Sequence, residues 1–295
     1  MKLIIITIIT IIFSNTCSAQ TAGTATIAGD TTLTARDTTI PKSTLTIGAV
    51  YANNASYYGQ KSAESTPYAA LAVSYRHKSG IYFTALSYKL LNDKNNGVSA
   101  TSAGAGVTFK PGKKLSADLN YSHSFYPAYS PLLQAGNADN ASVGFTYEDW
   151  VNVALRGDYA FGKTADAFVT GGLSKSITVC SLGKKDVVTI TPSADVVAGT
   201  QHFYQTYVTR QRLKDSLLSN ILSPIIGTSP ESSTTETVSA TSFNVLSYNF
   251  KLPLAYNRAH YVLEAAYQFS LLSKQAQSDA GKGNSFVTLS FYYQF

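Results

Sequence analysis

Over most of the chain, apolar and polar residues alternate with a period of two, and clusters of Gly, Pro, Asn and Ser cut the alternation into separate runs. A strand turns successive side chains to opposite faces, so this period predicts sheet whose two sides meet unlike surroundings. The apolar face of the first run carries Leu45, Ile47, Ala49 and Tyr51, that of the second Ala69, Leu71, Val73 and Tyr75, and that of the third Tyr82, Leu86, Tyr88 and Leu90. Ala103, Ala105, Val107 and Phe109 follow, then Leu115, Ala117, Leu119 and Tyr121, then Ala141, Val143, Phe145 and Tyr147. The later runs are Val151, Val153, Leu155, Tyr159 and Phe161; Ala167, Val169, Leu173 and Ile177; and Val188, Ile190, Ala194 and Val196. Leu246, Tyr248 and Phe250 come next, then Tyr261, Leu263, Ala265, Tyr267 and Phe269, and last Val287, Leu289, Phe291, Tyr293 and Phe295. That predicts about twelve strands, each near the ~9–11 residues a tilted strand needs to cross a bilayer.

Two runs carry internal conflicts. Around 243–251 both phases are apolar, with Phe243 and Val245 set against Leu246, Tyr248 and Phe250, and in the eighth run Lys175 falls in the apolar phase. A bulge near either would resolve the conflict. The connections alternate in length: 53–66, 126–140, 200–237 and 273–283 are long, whereas 77–80, 111–114 and 148–150 are short. The connection at 162–165 breaks the alternation by being tight, and 252–258 is expected to be a moderate loop. An even number of strands with alternating loops places both termini on one side.

The closing run, residues 286–295, reads FVTLSFYYQF and ends on an aromatic residue. It resembles the C-terminal signature strand of Gram-negative outer-membrane β-barrels, in which alternating apolar residues finish on a terminal Phe. The resemblance implies a closed, antiparallel, up-and-down transmembrane β-barrel. It also implies an assembly and closure signal at Leu289, Phe291, Tyr293 and Phe295, read by the barrel-assembly machinery before the last strand pairs with the first. It identifies no functional family.

Composition agrees with strands rather than helices as the membrane-crossing element. The 295 residues are 44% hydrophobic and only 14% charged, and no stretch after the N-terminus reaches the ~18 apolar residues of a spanning helix. Twenty Tyr and fourteen Phe against one Trp suit aromatic girdles, where a ring lies in hydrocarbon and a hydroxyl reaches headgroups. The net charge of +6 is spread over loops and turns. That suits outer-membrane lipids as neighbours and excludes a nucleic-acid stripe.

Residues 1–19 read as a cleaved signal peptide, with Lys2 before the apolar core from Leu3 to Phe13 and Cys17-Ser18-Ala19 as the small-residue cleavage site. Cleavage leaves Cys180 as the single cysteine, so no intramolecular disulfide is expected. Residues 20–42, rich in Thr and without aromatics, form a periplasmic leader, and 43–295 form the barrel. In the long outer loop 200–237, Leu213, Leu217, Leu218, Ile221 and Leu222 recur at helical spacing before Pro224, predicting a short amphipathic helix.

The phase opposite the apolar faces is small and polar: Ser74, Ser87, Gly104, Gly106, Ser116, Asn120, Gly144, Thr146, Gly172 and Ser193. A twelve-stranded wall with such an inner face leaves room for water. The same phase carries Arg76, Lys89, Lys110, Arg156 and Lys251 with Asp118, Glu148, Asp158, Asp195 and Glu264. Each ion needs a partner or water there. They either brace neighbouring strands or line a permeation path; Arg76, Asp118, Arg156, Asp158, Asp195 and Glu264 are the lumen-lining candidates, and their balanced signs forecast weak ion selectivity.

Catalysis finds little support. Outer-membrane phospholipases set a His two residues before a Ser on one strand so that both face the same side, whereas here Ser124 directly follows His123. His77, His202 and His260 stand singly, so neither a metal nor a cofactor is expected. The residues therefore point to a porin-like passive channel for small hydrophilic solutes in the outer membrane. The competing reading is a structural or interaction protein with an effectively closed lumen, whose outer loops bind an unidentified protein or ligand.

Overall fold

A computed structural model describes residues 42–93, 97–127, 130–183, 185–204, 207, 242–276 and 282–295. The expected signal peptide, the expected leader up to residue 41 and the predicted helix at 213–222 lie outside the described residues. In chain order the strands are β1 (Thr44–Ala52), β2 (Tyr68–Arg76), β3 (Ile81–Leu90), β4 (Ala100–Phe109), β5 (Leu115–Phe125), β6 (Asp139–Tyr147) and β7 (Asn152–Phe161). They continue with β8 (Ala165–Ser174), β9 (Ile177–Cys180), β10 (Asp186–Ile190), β11 (Ser193–Gly199), β12 (Asn244–Arg258), β13 (Tyr261–Leu272) and β14 (Gly283–Gln294).

Every strand pairs antiparallel with its neighbours, and the sheet closes on itself twice over. β14 pairs with β1, Phe291 opposite Ala49 and Leu289 opposite Tyr51. On the far side β11 pairs with both β8 and β12. Twelve strands thus form the closed barrel, with the short β9 and β10 added below β8 and β11. β8 and β9 are one long strand broken at residues 175–176, and β10 and β11 another broken at Thr191 and Pro192, the two held at the break by Lys175 N–H donating to the Pro192 carbonyl at 3.2 Å. Closure leaves no free barrel edge to recruit another chain. The terminal residue belongs to the seam: Phe295 N–H donates to the Leu45 carbonyl at 2.9 Å.

The predicted apolar faces point outward in most strands. Leu71 is 64% exposed and Phe83, Phe125, Leu155, Leu173, Phe250, Leu263 and Phe291 are likewise bare. Removing one such side chain from water is worth roughly 1.5–3 kcal/mol. A belt of dozens left in water would outweigh the ~5–15 kcal/mol margin of a folded domain, so the exterior is one that demands hydrocarbon. β1 begins and β14 ends on one rim, called here the terminal rim, and the long connections lie on the other, the loop rim.

Four expectations are corrected. In β3 the phase is reversed: Ile81, Phe83 and Ala85 face out, while Tyr82 and Leu90 are buried inside and Leu86 and Tyr88 line the interior. The run IYFTALSYKL is apolar in both phases, and pairing decides, because Leu71 and Tyr75 on the outer face of β2 stand opposite Ser87 and Phe83. Lys89, opposite Ala69, therefore faces outward with Ser87 rather than into the lumen.

Leu246 is the second. It is fully buried in the interior, because β12 shifts register against β11 between Val197 and Ala198, pairing Ser247 and then Val245 and passing over Leu246. This is the bulge that the conflict at 243–251 called for. Third, residues 252–258 are strand and not loop: β12 runs straight to a tight turn at Ala259 and His260. Pro253 is tolerated because its missing donor falls at the break in the neighbouring strand, where its carbonyl accepts from Thr191 N–H at 3.0 Å.

Fourth, Lys110 and Glu148 sit in the turns of the terminal rim, outside the strands and away from the lumen wall. Lys175 keeps its outward phase at the break after β8, with its ammonium 3.7 Å from the centre of the Trp150 ring, a pairing suited to a membrane–water boundary.

Candidate functional site: a plugged polar lumen

The inner wall is organised by three polar networks. On β2 to β5, Asp118 accepts from Tyr82 Oη at 3.0 Å, from Thr108 Oγ1 at 2.9 Å and from Asn120 Nδ2 at 3.2 Å. Arg76 Nη1 donates to the same Thr108 hydroxyl at 3.0 Å, and its guanidinium lies 4.9 Å from the centre of the Tyr82 ring. On β6 and β7, Arg156 Nε donates to Asp158 Oδ1 at 2.9 Å and its Nη2 to Ser142 Oγ at 3.0 Å. On β11 and β12, Lys251 Nζ stands 3.3 Å from Asp195 Oδ1, and Asn249 Nδ2 donates to Asp195 Oδ2 at 2.8 Å.

Partners within a network stand on alternate residues of one strand, on neighbouring strands, or two strands apart, as Arg76 of β2 with Thr108 of β4 and Tyr82 of β3 with Asp118 of β5, and all share the inner face. Pairing is what lets these ions leave bulk water, since an isolated buried charge would cost far more than the fold can supply.

A cavity of about 270 Å³ is bordered by all three networks, through Tyr82 and Asn120 of the first, Arg156 and Asp158 of the second, and Asp195, Asn249 and Lys251 of the third. Of the six lumen-lining candidates, the structure brings Arg156, Asp158 and Asp195 to this cavity. Arg76 and Asp118 belong to the Tyr82 network beside it. Glu264 also points inward from β13 and is buried, without a hydrogen-bond or ion-pair partner among the described residues.

The loop rim is closed by chain that turns inward. The β1–β2 connection descends into the barrel, with Gln60, Ser62 and Thr66 buried. Its backbone is held by the wall: Ser247 Oγ donates to the Tyr58 carbonyl at 2.7 Å and Asn284 Nδ2 to the Gly59 carbonyl at 3.1 Å. Gly59 has a φ of +83°, and a Cβ there would lie 2.5 Å from Asn249 Oδ1, so a left-handed glycine is required at the tip.

Tyr58 stacks on Phe168 at 3.9 Å and Tyr57 meets Phe203 edge-on at 4.9 Å, forming an aromatic cap with Leu133 and Leu246. Burial pushes the Tyr57 phenol well above its ordinary pKa, so it stays neutral. Two more segments complete the plug. The β5–β6 connection contributes a 3₁₀ turn, Leu133–Gly136, and accepts Ser62 Oγ at the Pro131 carbonyl at 2.5 Å. The start of the β11–β12 connection contributes Phe203 and Tyr207.

Asp166 ties that last segment down. Its Oδ1 accepts from His202 N–H at 2.7 Å and Thr200 Oγ1 at 2.6 Å, and its Oδ2 from Phe203 N–H and Asn137 Nδ2, both at 2.8 Å. A carboxylate receiving the free N–H groups of a starting helical turn is a capping arrangement. Sequence reasoning missed Asp166, Asn249 and the whole plug. The one signal was Tyr57-Tyr58-Gly59, two adjacent aromatics and a glycine inside an otherwise polar connection.

His123 and Ser124 lie on opposite faces of β5, as their adjacency requires. Ser124 borders the lumen cavity, while His123 faces out and holds Asp139 Oδ1 at 2.7 Å through Nδ1. The two do not form a nucleophile and base.

No protein-family model and no curated protein matches the sequence. Among solved structures, the chain is similar to the KdgM porin (TM-score 0.47, 11% identity, 85% of this chain and 99% of that one). It is similar to an outer membrane channel from Pseudomonas putida F1 (0.47, 12%, 87% and 97%) and to LpxR from Salmonella typhimurium (0.41, 8%, 85% and 99%). At such identities and scores the likeness says nothing of activity.

Proposed function

We propose that the protein is a porin-like passive channel for small hydrophilic solutes, exported by its signal peptide and inserted in the outer membrane of a Gram-negative cell. The observation that carries this is the polar cavity of about 270 Å³ bordered by the Arg156–Asp158 and Lys251–Asp195 pairs, inside a barrel whose exterior requires hydrocarbon. Ions on such a wall brace neighbouring strands, and where they also border an open polar cavity they can line a solute path. The paired signs favour neutral solutes or weak ion preference. Phe295, at the seam, serves as part of the assembly signal, and its deletion should lower the amount of folded barrel in outer-membrane fractions without changing its synthesis.

The plug sets the size limit. Conductance of the purified full-length protein in planar bilayers should be small, and shortening the connection at residues 54–65 should raise it. Silence in both proteins would reject the channel. That outcome would support the second reading, favoured by the burial of the plug itself: a closed barrel that displays its loops to a partner.

A further inference from the structure

We propose that the outer wall over β4 to β7 carries a binding site for a phosphate-bearing membrane lipid, with an acyl chain in a groove and the headgroup at His123. The proposal rests on the membrane placement above and is independent of whether the lumen conducts.

The groove holds about 760 Å³ and is lined on the outward face by Ala105, Leu119, Tyr121, Ala141, Gly157 and Tyr159. It exists because small residues recess the surface between larger ones: Ala141 stands between Tyr121 and Tyr159 in register, and Ala105 stands opposite Tyr121.

One register step nearer the loop rim, the same three strands place a polar cluster at the groove's head. His123 pairs with Asp139 across β5 and β6, and Asp139 with Phe161 across β6 and β7. Asp139 Oδ1 receives both His123 Nδ1 at 2.7 Å and Tyr121 Oη at 2.5 Å. The carboxylate thereby fixes the ring and commits Nδ1 as the donor. Nε2 is left without a partner among the described residues, on a side chain that is 39% exposed. Phe125 flanks the ring at 4.6 Å.

Two residues beyond Phe161, Lys163 adds an exposed ammonium with no ion-pair partner among the described residues. The rim therefore offers the Lys163 ammonium and the exposed His123 ring beside a single carboxylate, a cationic donor and a polar ring that suit a phosphate. Polar at the rim and apolar below, the site has the same polarity as a lipid lying along the wall. The two serines that flank His123 in β5, Ser122 and Ser124, border the lumen and not the outer face, and the cluster is read as a binding site.

Native mass spectrometry of the intact barrel in mild detergent, with added phosphatidylglycerol, tests the site. The wild-type protein should retain one lipid. His123→Ala and Lys163→Gln should each weaken retention about tenfold, the size of one charge-assisted hydrogen bond. Gly157→Leu should block the groove; a Cβ there meets nothing closer than Val143 Cγ1 at 3.6 Å, so the wall itself tolerates it. Diacylglycerol with the same chains should bind no better than phosphatidylglycerol binds the His123→Ala protein. Equal retention by all variants, or equal retention of diacylglycerol, would overturn the proposal, as would a dimer that Gly157→Leu abolishes, which would assign the face to a second copy of this chain. Heat-modifiable gel migration of each variant reports barrel closure separately, so loss of the membrane barrel and loss of the lipid site are distinguishable.

Discussion

The ring of Tyr82 lies flat against Gly106, so close that a Cβ on Gly106 would stand 2.4 Å from Tyr82 Cζ. The glycine is what allows an aromatic residue to lie inside the wall and reach Asp118. Gly106→Val should displace the ring, break the Asp118 network and destabilise the barrel by about 1–3 kcal/mol. Tyr82→Phe, which keeps the ring and loses only the hydroxyl, should cost less. The temperature at which the compact gel band is lost measures both, and equal midpoints for the two variants would refute the ordering.

Asp166 answers for two backbone donors and for the side chains of Thr200, Asn137 and His202 at once. Asp166→Ala leaves them unsatisfied in a buried site, at about 1–3 kcal/mol for each stranded group, while Asp166→Asn keeps one acceptor and should be milder. The plug segment beginning at Gln201 should loosen first. Limited proteolysis of the barrel in liposomes should cut the alanine variant near residue 200 faster than the wild type; unchanged cleavage would mean that the aromatic cap alone holds the segment.

Lys251 and Asp195 face each other beside the cavity with opposite signs. If solutes pass there, Lys251→Gln should leave Asp195 unbalanced and shift the reversal potential in a salt gradient towards cation preference. Asp195→Asn should shift it towards anions, and the double variant should return near the wild-type value. Reversal potentials that ignore all three changes would make the pair a brace between β11 and β12 and nothing more.

Trp150 is the only tryptophan in the chain, and Lys175 sits over its ring. Lys175→Ala should cost about 0.5–1 kcal/mol and alter the intrinsic fluorescence, which in this protein has a single indole source. An emission spectrum identical to that of the wild type would show that the ammonium does not sit over the ring in the membrane.

The outward faces of β1, β2, β4 to β8, β13 and β14 were legible residue by residue, because hydrocarbon outside and polar groups inside impose opposite demands on alternate positions. Arg76, Asp118, Arg156, Asp158, Asp195 and Glu264 were assigned inward by the same rule, and of these Arg156, Asp158 and Asp195 border the lumen cavity. β3 was not legible: with Tyr82, Leu86 and Tyr88 set against Ile81, Phe83 and Ala85, both faces satisfy a period-two test. Leu246 failed for a related reason, since a bulge changes phase within one strand and only the partner strand shows where.

The alternation and the closing Phe thus determined, without any coordinates, that this chain is a closed β-barrel of about twelve strands with an ionic interior. Local pattern suffices for that, because each residue's face depends on its immediate neighbours and the solvent on either side. The plug, the Asp166 tie, the grouping of paired ions around one cavity and the groove beneath His123 were decided by tertiary structure alone. They join residues as distant as Tyr58 with Ser247 and Gly59 with Asn284, and such contacts exist only once the sheet has closed and brought its first connection inside.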